Sequence, residues 1–543
     1  MASRFRTSID YSRNQGPRLN SLPIKPERVG RPRLHPYQRL LGRFYEVLFL
    51  VKALGQTRGI HTPEPPALDQ QQESRRRFLQ DLAYICDSKK GGDTCTAIGI
   101  EESSHNYTFW VAVNKERDGI IELLKDVLKI LKIYVNLSAQ EMETHRVMLI
   151  RRCIEFASLR INEEKKLLFK AARDCLQRLD TQSSEQVSNV KAWLKILKSK
   201  DTNFALCFFA YTNRHSESVQ YLENLGLEQE RRYASTKGSL LPYSKVKHYV
   251  GRLASHYRVP IRLLDNVKQL SYLLEDYEVQ AIKPTPSVPS PKVDSHTTLY
   301  GIINRMLKKE AEERPKLEKG LLYLDQTHEI FKEFMVQYKN CEPQVHAEVL
   351  ALEHFYQSQK SFAAKDSYIG CSKAACLCCE MYFKYHPARM VVPKSHRKVW
   401  QNWGPPFVEN YAQKGPIAKQ QLAILNKMTE DLRREIIMQV IGRSSPPCWH
   451  ADSRTEITQS HRSNFTSSSE DDSRSDLPEN IDHWLLHQEA ESIKLIAQGQ
   501  SLLEESVIPD GDSDSDSDTG GVSLSMEILE SREAPGKVIY ASL

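Results

Sequence analysis

The stretch Val345-His-Ala-Glu-Val349, followed by Ala375-Cys-Leu-Cys-Cys379, decides how this sequence is interpreted. A spacer of 26 residues separates Glu348 from Ala375. One imidazole and two thiolates can bind a zinc ion and leave its fourth tetrahedral position open to water. A carboxylate two residues from the histidine can move protons as general acid and base. The pattern therefore predicts a zinc site with one catalytic carboxylate, formed by His346, Cys376, Cys379 and Glu348.

The full spacing is more specific than either half of it. His-x-Glu also occurs at His215-Ser-Glu217 and His487-Gln-Glu489, and neither copy is followed by Cys-x-x-Cys. With about 2% cysteine, a Cys-x-x-Cys falls in a ten-residue window by chance with a probability of roughly 0.004. Two alternatives stay open. The residues could be a buried histidine and cysteines packed as small hydrophobic side chains, or Cys371 or Cys378 could close the site and make the zinc structural.

Helical and strand patterns alternate around these motifs. Apolar residues after His346 predict a helix that opens near it, and a second helix is predicted from about residue 376. Cys376 and Cys379 on its first turn would face one ion, and the helix dipole would favour their thiolates. Interleaved elements of this kind predict an α/β sandwich over 297–445. The other predicted elements are a helix at 297–318, strands at 367–371 and Met390–Pro393, and a helix at 417–440.

The preceding segment, 44–281, is predicted to be a mainly helical domain. Its periodic stretches are 119–135, 141–178, 186–199 and 241–280. Two runs rich in β-branched and aromatic residues, Thr94–Ile100 and Tyr107–Val113, predict one hairpin. Four prolines between Lys283 and Lys292 cannot continue a helix, so a linker is expected over 282–296.

Both termini have the composition of disordered segments. Residues 1–43 are basic and proline-rich, which predicts a flexible arm. Residues 446–543 are rich in Ser and Asp, which predicts a disordered acidic tail with one short helix at 480–505. The formal charge of +6 therefore divides unevenly. Residues 1 to 450 carry 69 basic and 49 acidic side chains, whereas the last 93 residues carry 6 and 20.

Composition excludes several classes of protein. The 543 residues are 40% hydrophobic and 27% charged, the balance of a globular protein. No apolar run approaches the roughly 18 to 20 residues of a transmembrane helix. Met1 is followed by an arginine-rich segment without the apolar core of a secretory leader. We therefore expect no membrane association and an intracellular protein, cytoplasmic or nuclear, whose eleven cysteines do not form a disulfide framework.

The motifs resemble those of a known family. Val345–Val349 and Tyr368-Ile-Gly-Cys-Ser-Lys-Ala-Ala-Cys-Leu-Cys-Cys379 are similar to the cytidine deaminase-like superfamily, and within it to the fungal predicted nucleic acid deaminases called OTT_1508-like. Three further segments are similar to parts of that group, so the resemblance covers roughly 75 to 410: Leu82–Asp93, Phe109–Asn114 and Met390–Pro406.

The resemblance implies a three-layer α/β/α sandwich with a mixed five-stranded sheet and zinc between facing helix N-termini. It assigns metal binding to His346, Cys376 and Cys379 and the proton shuttle to Glu348. We also expect substrate contacts at Ala375, Ser395 and His396. Two positions depart from the family, because Ala375 replaces a proline and Lys394 replaces a glycine. Proline fixes its own backbone, so the first departure affects substrate orientation rather than metal binding.

The predicted activity is zinc-dependent hydrolytic deamination of cytosine or adenine in nucleic acid or nucleotides. The positive charge of residues 1–450 indicates affinity for polyanions. Cations and rings after the cysteines are typical of a single-strand binding surface, and equally typical of core rings beneath a solvated cationic face. They are Tyr382, Phe383, Tyr385, His386, Arg389, Lys394, His396, Arg397, Lys398 and Trp400. The alternative function is a non-catalytic, zinc-stabilised module that binds nucleic acid or protein, and the carboxylate at Glu348 favours the enzyme.

Overall fold

The computed structural model describes residues 35–104, 106–115, 118–181, 183–233, 241–445 and 450–451, which form fifteen α-helices and four strands. The strands are β1 (Thr96–Glu102), β2 (Tyr107–Val113), β3 (Tyr277–Ala281) and β4 (Gly370–Cys371). The helices are α1 (Pro36–Ala53), α2 (Gln70–Cys86), α3 (Ile120–Tyr134), α4 (Ala139–Phe156), α5 (Ser158–Leu179), α6 (Glu185–Lys198), α7 (Asn203–Asn213), α8 (Glu217–Tyr233), α9 (Pro242–Val267), α10 (Leu299–Met306), α11 (Arg314–His328), α12 (Ile330–Lys339), α13 (Ala347–Gln357), α14 (Leu377–Tyr385) and α15 (Pro416–Ile441).

The strands form one mixed sheet in the order β3-β2-β1-β4. The predicted hairpin is confirmed, because β1 and β2 pair antiparallel with Ile98 opposite Val111. β4 pairs antiparallel with the other edge of β1, and β3 runs parallel to β2. The described residues thus contribute four strands where five were expected. Met390–Pro393 forms no strand, and the nearby Ser395 makes only isolated bridges.

This sheet combines strands from both sides of the proline-rich linker. β1, β2 and β3 precede residues 282–296, whereas β4 follows them. A lone hairpin is marginally stable, and here it gains a strand at each edge and helices over its faces. The boundaries of the two predicted domains stay a prediction, but segments 44–281 and 297–445 share one sheet.

Helices pack on both faces of the sheet. Ile98 and Val111 belong to an apolar core with residues of α2, α3 and α9, whereas Ala97 and Ala112 belong to another with residues of α13. Gly99 permits a close approach on the second face. A Cβ at Gly99 would lie 2.7 Å from the Phe355 ring of α13. The absence of that carbon lets the helix that starts beside His346 lie against β1.

α1 is a buried helix and includes the end of the predicted arm. The arm was expected over residues 1–43, but α1 begins at Pro36, and Leu40 and Leu41 are only 2% exposed. Phe44 and Leu48 have no exposed surface. Prolines and arginines made this segment resemble a tail, but its apolar side chains pack in the same core as α12 and α15.

Most helical predictions hold, with differences at helix ends. The stretches 119–135 and 186–199 are single helices, whereas 141–178 is divided at Ala157 into α4 and α5. The stretch 241–280 is α-helical only to Val267; a short 3-10 helix follows at Ser271–Leu274, and residues 277–281 pair with the free edge of β2. The predicted helix at 297–318 is divided into α10 and α11.

The linker contains no helix or strand, as its prolines predicted, but it packs on the protein. Val288 is 3% exposed, and Ser287 forms a bridge with Pro406. The acidic tail, including its predicted helix at 480–505, lies almost wholly outside the described residues, as do residues 1–34 of the arm. None of the helices in the described parts of the chain combines the length and apolar character needed to cross a membrane.

Candidate metal centre

Two helix N-termini bring the predicted residues together. α13 begins directly after His346 and has Glu348 in its first turn. α14 begins directly after Cys376 and has Cys379 in its first turn. Both helices were predicted from the sequence near these positions. Their positive N-terminal ends favour negative charge on side chains in this region.

The three candidate ligand atoms form a compact triangle. Nδ1 of His346 lies 3.6 Å from Cys376 Sγ and 3.4 Å from Cys379 Sγ, and the two sulfurs are 3.5 Å apart. Around a tetrahedral zinc with its usual bond lengths, a sulfur and a nitrogen ligand are about 3.6 Å apart and two sulfurs about 3.8 Å. The triangle therefore fits one face of a zinc tetrahedron. Glu348 Oε1 lies 4.0 Å from His346 Nδ1, and 11% of the Glu348 side chain is exposed.

The ionisation of these groups depends on their mutual contacts. Burial alone would lower the pKa of His346, but the Cys376 sulfur and the Glu348 carboxylate outweigh burial and raise this pKa to about 9. Burial alone would raise the pKa of Cys376, but the thiol of Cys379 and the ring of His346 lower it to about 6. Burial and the neighbouring Cys376 raise the pKa of Cys379 well above its ordinary value. Metal binding at this triangle would therefore release protons.

Neither additional cysteine joins the triangle. In the described parts of the chain, the one group of His, Cys, Asp or Glu side chains with metal-binding spacing is His346, Cys376 and Cys379. Cys378 is completely buried in the apolar core, and Cys371 lies in β4 with its sulfur 3.7 Å from the carbonyl oxygen of Ile369. The geometry favours three protein ligands over a closed site with four.

Two side chains that were given no role from the sequence support the triangle. The Trp403 indole nitrogen donates a hydrogen bond to Cys379 Sγ at 3.1 Å. Asn114, just after β2, accepts at 2.6 Å from the backbone nitrogen of Ala347, between His346 and Glu348. Both residues lie in segments that resemble the family, but neither partner can be identified from local spacing. Asn114 therefore connects the hairpin to the start of α13.

A buried ion cluster anchors the loop that precedes Cys376. Lys373 Nζ lies 3.1 Å and Arg160 Nη1 3.0 Å from Asp87 Oδ2. Arg160 Nε also lies 3.2 Å from Glu164 Oε1 within α5. Burial alone would raise the pKa of Asp87, but Lys373 and Arg160 outweigh burial and hold it below its ordinary value. The cluster thus connects α5 with the cysteine loop through residues that are far apart in the sequence.

The three residues predicted to contact substrate lie together beside the first cysteine. The Ser395 hydroxyl donates to the Ala375 carbonyl at 2.9 Å, and the His396 nitrogen donates to the same carbonyl at 3.0 Å. Ala375, Ser395 and His396 are 1%, 0% and 4% exposed. The structure gives Ser395 a role in holding the cysteine loop, and substrate contact by these residues stays a prediction.

Half of the predicted single-strand binding surface is buried. Five of its ten members are at most 4% exposed: Tyr382, Phe383, His386, His396 and Lys398. Tyr382 and Phe383 belong to the apolar core, as the alternative interpretation expected. The buried rings of Tyr382 and Phe383 cannot stack on bases in this conformation, so for these two residues the structure agrees with the core interpretation.

Comparison with known proteins agrees with the motifs. No curated protein and no solved structure gives a significant match. A model of OTT_1508_deam-like deaminases matches residues 345–407, which include the triangle, Glu348 and Trp403. Residues 345–407 are therefore similar to OTT_1508-like deaminases, as the motifs indicated.

Proposed function

We propose that this protein is a zinc-dependent hydrolytic deaminase of cytosine or adenine in nucleic acid or nucleotides. The observation that supports it most directly is the triangle of His346, Cys376 and Cys379, with a carboxylate oxygen of Glu348 4.0 Å from the His346 nitrogen. A site with only a structural metal has no use for a carboxylate in this place. The deaminase family match supports the same reaction class.

The residues present fit zinc. The donor set is one nitrogen and two sulfurs, and its edges of 3.4, 3.5 and 3.6 Å are close to those of a zinc tetrahedron. A zinc ion held there would supply a Lewis acid that activates water near neutral pH. His346, Cys376 and Cys379 would hold the ion and leave one coordination position free of protein.

Glu348 would carry the protons. Hydrolytic deamination adds water to the carbon that bears the exocyclic amine and releases ammonia, so one proton of the water must pass to the ring nitrogen and the other to the leaving amine. Glu348 Oε1 lies 4.0 Å from His346 Nδ1, and the His346 side chain is 18% exposed. One carboxylate in this position can carry both protons in turn, the first to the ring nitrogen as the C–O bond forms and the second to the departing amine as the C–N bond breaks.

The substrate class is inferred from charge and from the family. Residues 1–450 carry 20 more basic than acidic side chains, which favours a polyanionic or phosphorylated substrate. A base that is acted on within a polymer must leave its stack to enter such a site. Single-stranded DNA, single-stranded RNA and nucleotides are therefore the substrates to test.

The test compares two carboxylates in the same short motif. Purified protein should contain about one zinc per chain and release ammonia from at least one of these substrates. Glu348→Gln should keep the zinc and lose activity by about 10²- to 10⁴-fold. Glu217→Gln, in the His215-Ser-Glu217 copy of the motif, should behave like the wild type.

Three outcomes would contradict the proposal at different points. Full activity of Glu348→Gln would exclude the assigned proton shuttle. Zinc retained after His346, Cys376 and Cys379 are all replaced by alanine would exclude the site. Zinc bound by the wild type without activity on any cytosine or adenine substrate would favour the non-catalytic module.

A further inference from the structure

Trp403 lies behind the candidate metal centre and points its only polar atom at a ligand. Its indole nitrogen is 3.1 Å from Cys379 Sγ, and the whole residue is 0% exposed. Cys379 is also 0% exposed. A buried anionic sulfur is costly unless it is hydrogen-bonded, so a donor in this position has a direct energetic role once the sulfur is a thiolate.

The backbone around Trp403 is hydrogen-bonded to the segment that precedes His346. Gln344, two residues before His346, forms a parallel bridge with Trp403. Its nitrogen donates to the Asn402 carbonyl at 2.6 Å, and its carbonyl accepts from Gly404 at 2.8 Å. The residue that contacts the cysteine ligand is therefore held against the segment that carries the histidine ligand.

The indole ring itself is fixed by aromatic neighbours. The rings of Phe44 in α1 and Tyr382 in α14 lie 5.6 and 5.8 Å from it, centroid to centroid. Tyr45 of α1 donates to the Trp403 carbonyl at 3.1 Å. With the ring packed on two sides and its backbone bonded, the N–H direction is set by the fold before any metal binds.

We propose that Trp403 is a positioning residue of the metal centre, whose N–H orients the Cys379 sulfur and stabilises it as a thiolate ligand. The inference rests on the metal site of the proposed function, and Trp403 touches neither substrate nor reacting atoms. Hydrogen bonds to ligands from the surrounding shell fix their orientation, and losing one lowers metal affinity by about 10- to 100-fold. Tryptophan suits this position because its N–H is a donor only and cannot compete for the metal.

The test replaces Trp403 by phenylalanine, which keeps an aromatic ring and removes the donor. Trp193→Phe is the matched control, since Trp193 is 7% exposed and donates to Asn213 Oδ1 at 3.0 Å in a different apolar core. Chelator competition should show metal affinity about 10- to 100-fold lower for Trp403→Phe and unchanged for Trp193→Phe. In the cobalt-loaded proteins, the sulfur-to-metal charge-transfer band of Trp403→Phe should move to lower energy, because the sulfur has lost a hydrogen bond.

A Trp403→Phe protein with wild-type affinity and an unmoved charge-transfer band would overturn the inference. If that variant does not fold, indole ¹⁵N labelling of the six tryptophans in the wild-type chain gives the answer without a substitution. Cadmium binding should then shift an indole N–H signal and couple it to ¹¹³Cd through the sulfur, and the lack of any shifted indole signal would also overturn it. A wild-type chain that binds no metal would instead refute the proposed function itself.

Discussion

Replacing Arg160 by methionine should lower the free energy of unfolding, because Arg160 is the buried partner of two carboxylates. Its side chain is 3% exposed and lies between the carboxylates of Asp87 and Glu164, which are both 0% exposed. Methionine fills much of the volume of arginine but leaves these two buried charges with fewer partners.

The magnitude follows from the partners that remain. Asp87 keeps Lys373 at 3.1 Å and Thr94 at 2.7 Å, and Glu164 keeps Arg252 at 2.7 Å and His256 at 3.1 Å. Breaking a buried ion pair costs about 3–5 kcal/mol, and the remaining partners place Arg160→Met near the lower end, about 3 kcal/mol.

Urea unfolding at pH 7, followed by far-UV circular dichroism, measures this difference. The control is Lys166→Met in the same helix, where the Lys166–Glu163 pair is 72% and 47% exposed and should contribute little to stability. Equal stability of the two variants would refute the argument that burial makes the Arg160 contacts important.

The effect should also depend on pH in a defined direction. The folded pKa of Asp87 is held below its ordinary value of 3.8 by Lys373 and Arg160, against the opposing effect of burial. A carboxyl group of this kind stabilises the folded state above its unfolded pKa, and the stabilisation is lost as pH falls through the folded pKa. The gap between wild type and Arg160→Met should therefore be complete at pH 7 and shrink below about pH 4. A gap that grows on acidification would contradict this assignment.

Three further predictions follow from the fold and the site. Gly99→Ala places a methyl group 2.7 Å from the Phe355 ring, so it should lower the free energy of unfolding by about 1–3 kcal/mol, as measured by thermal unfolding. Gly92→Ala is the control and should be nearly neutral, because its methyl group would lie 3.9 Å from Asn114. Phe44→Ala removes a completely buried ring and should lower the free energy of unfolding by about 3–5 kcal/mol. Leu159→Ala is the control and should change stability little, because Leu159 is 57% exposed. Equal effects of the two substitutions would show that α1 is not part of the core. Removing metal with a chelator should lower the melting temperature. Adding free metal back at about 100 times its Kd should raise the free energy of unfolding by about 2.7 kcal/mol. Cys379→Ala should abolish this stabilisation by metal.

The sequence alone determined the residues whose chemistry depends on short spacing. His346 and Glu348 are two positions apart, Cys376 and Cys379 are three apart, and each pair lies at the start of a helix that apolar periodicity predicted. Helix geometry fixes the relation of residues one turn apart, so these pairs could be recognised without the fold. The hairpin and the buried character of several helices follow from local pattern in the same way.

Only the tertiary structure decided which distant segments meet. The hairpin, the strand before the cysteines and β3 form one sheet, although the proline-rich linker divides their sequences. The indole of Trp403 reaches Cys379, Asn114 reaches the backbone between His346 and Glu348, and Asp87 joins Lys373 to Arg160. The physical reason is that periodicity reports which face of an element is buried but not which element covers it. Contacts between residues far apart in the chain are therefore set by packing of the whole core, and these contacts bring four motif residues together as a candidate metal centre.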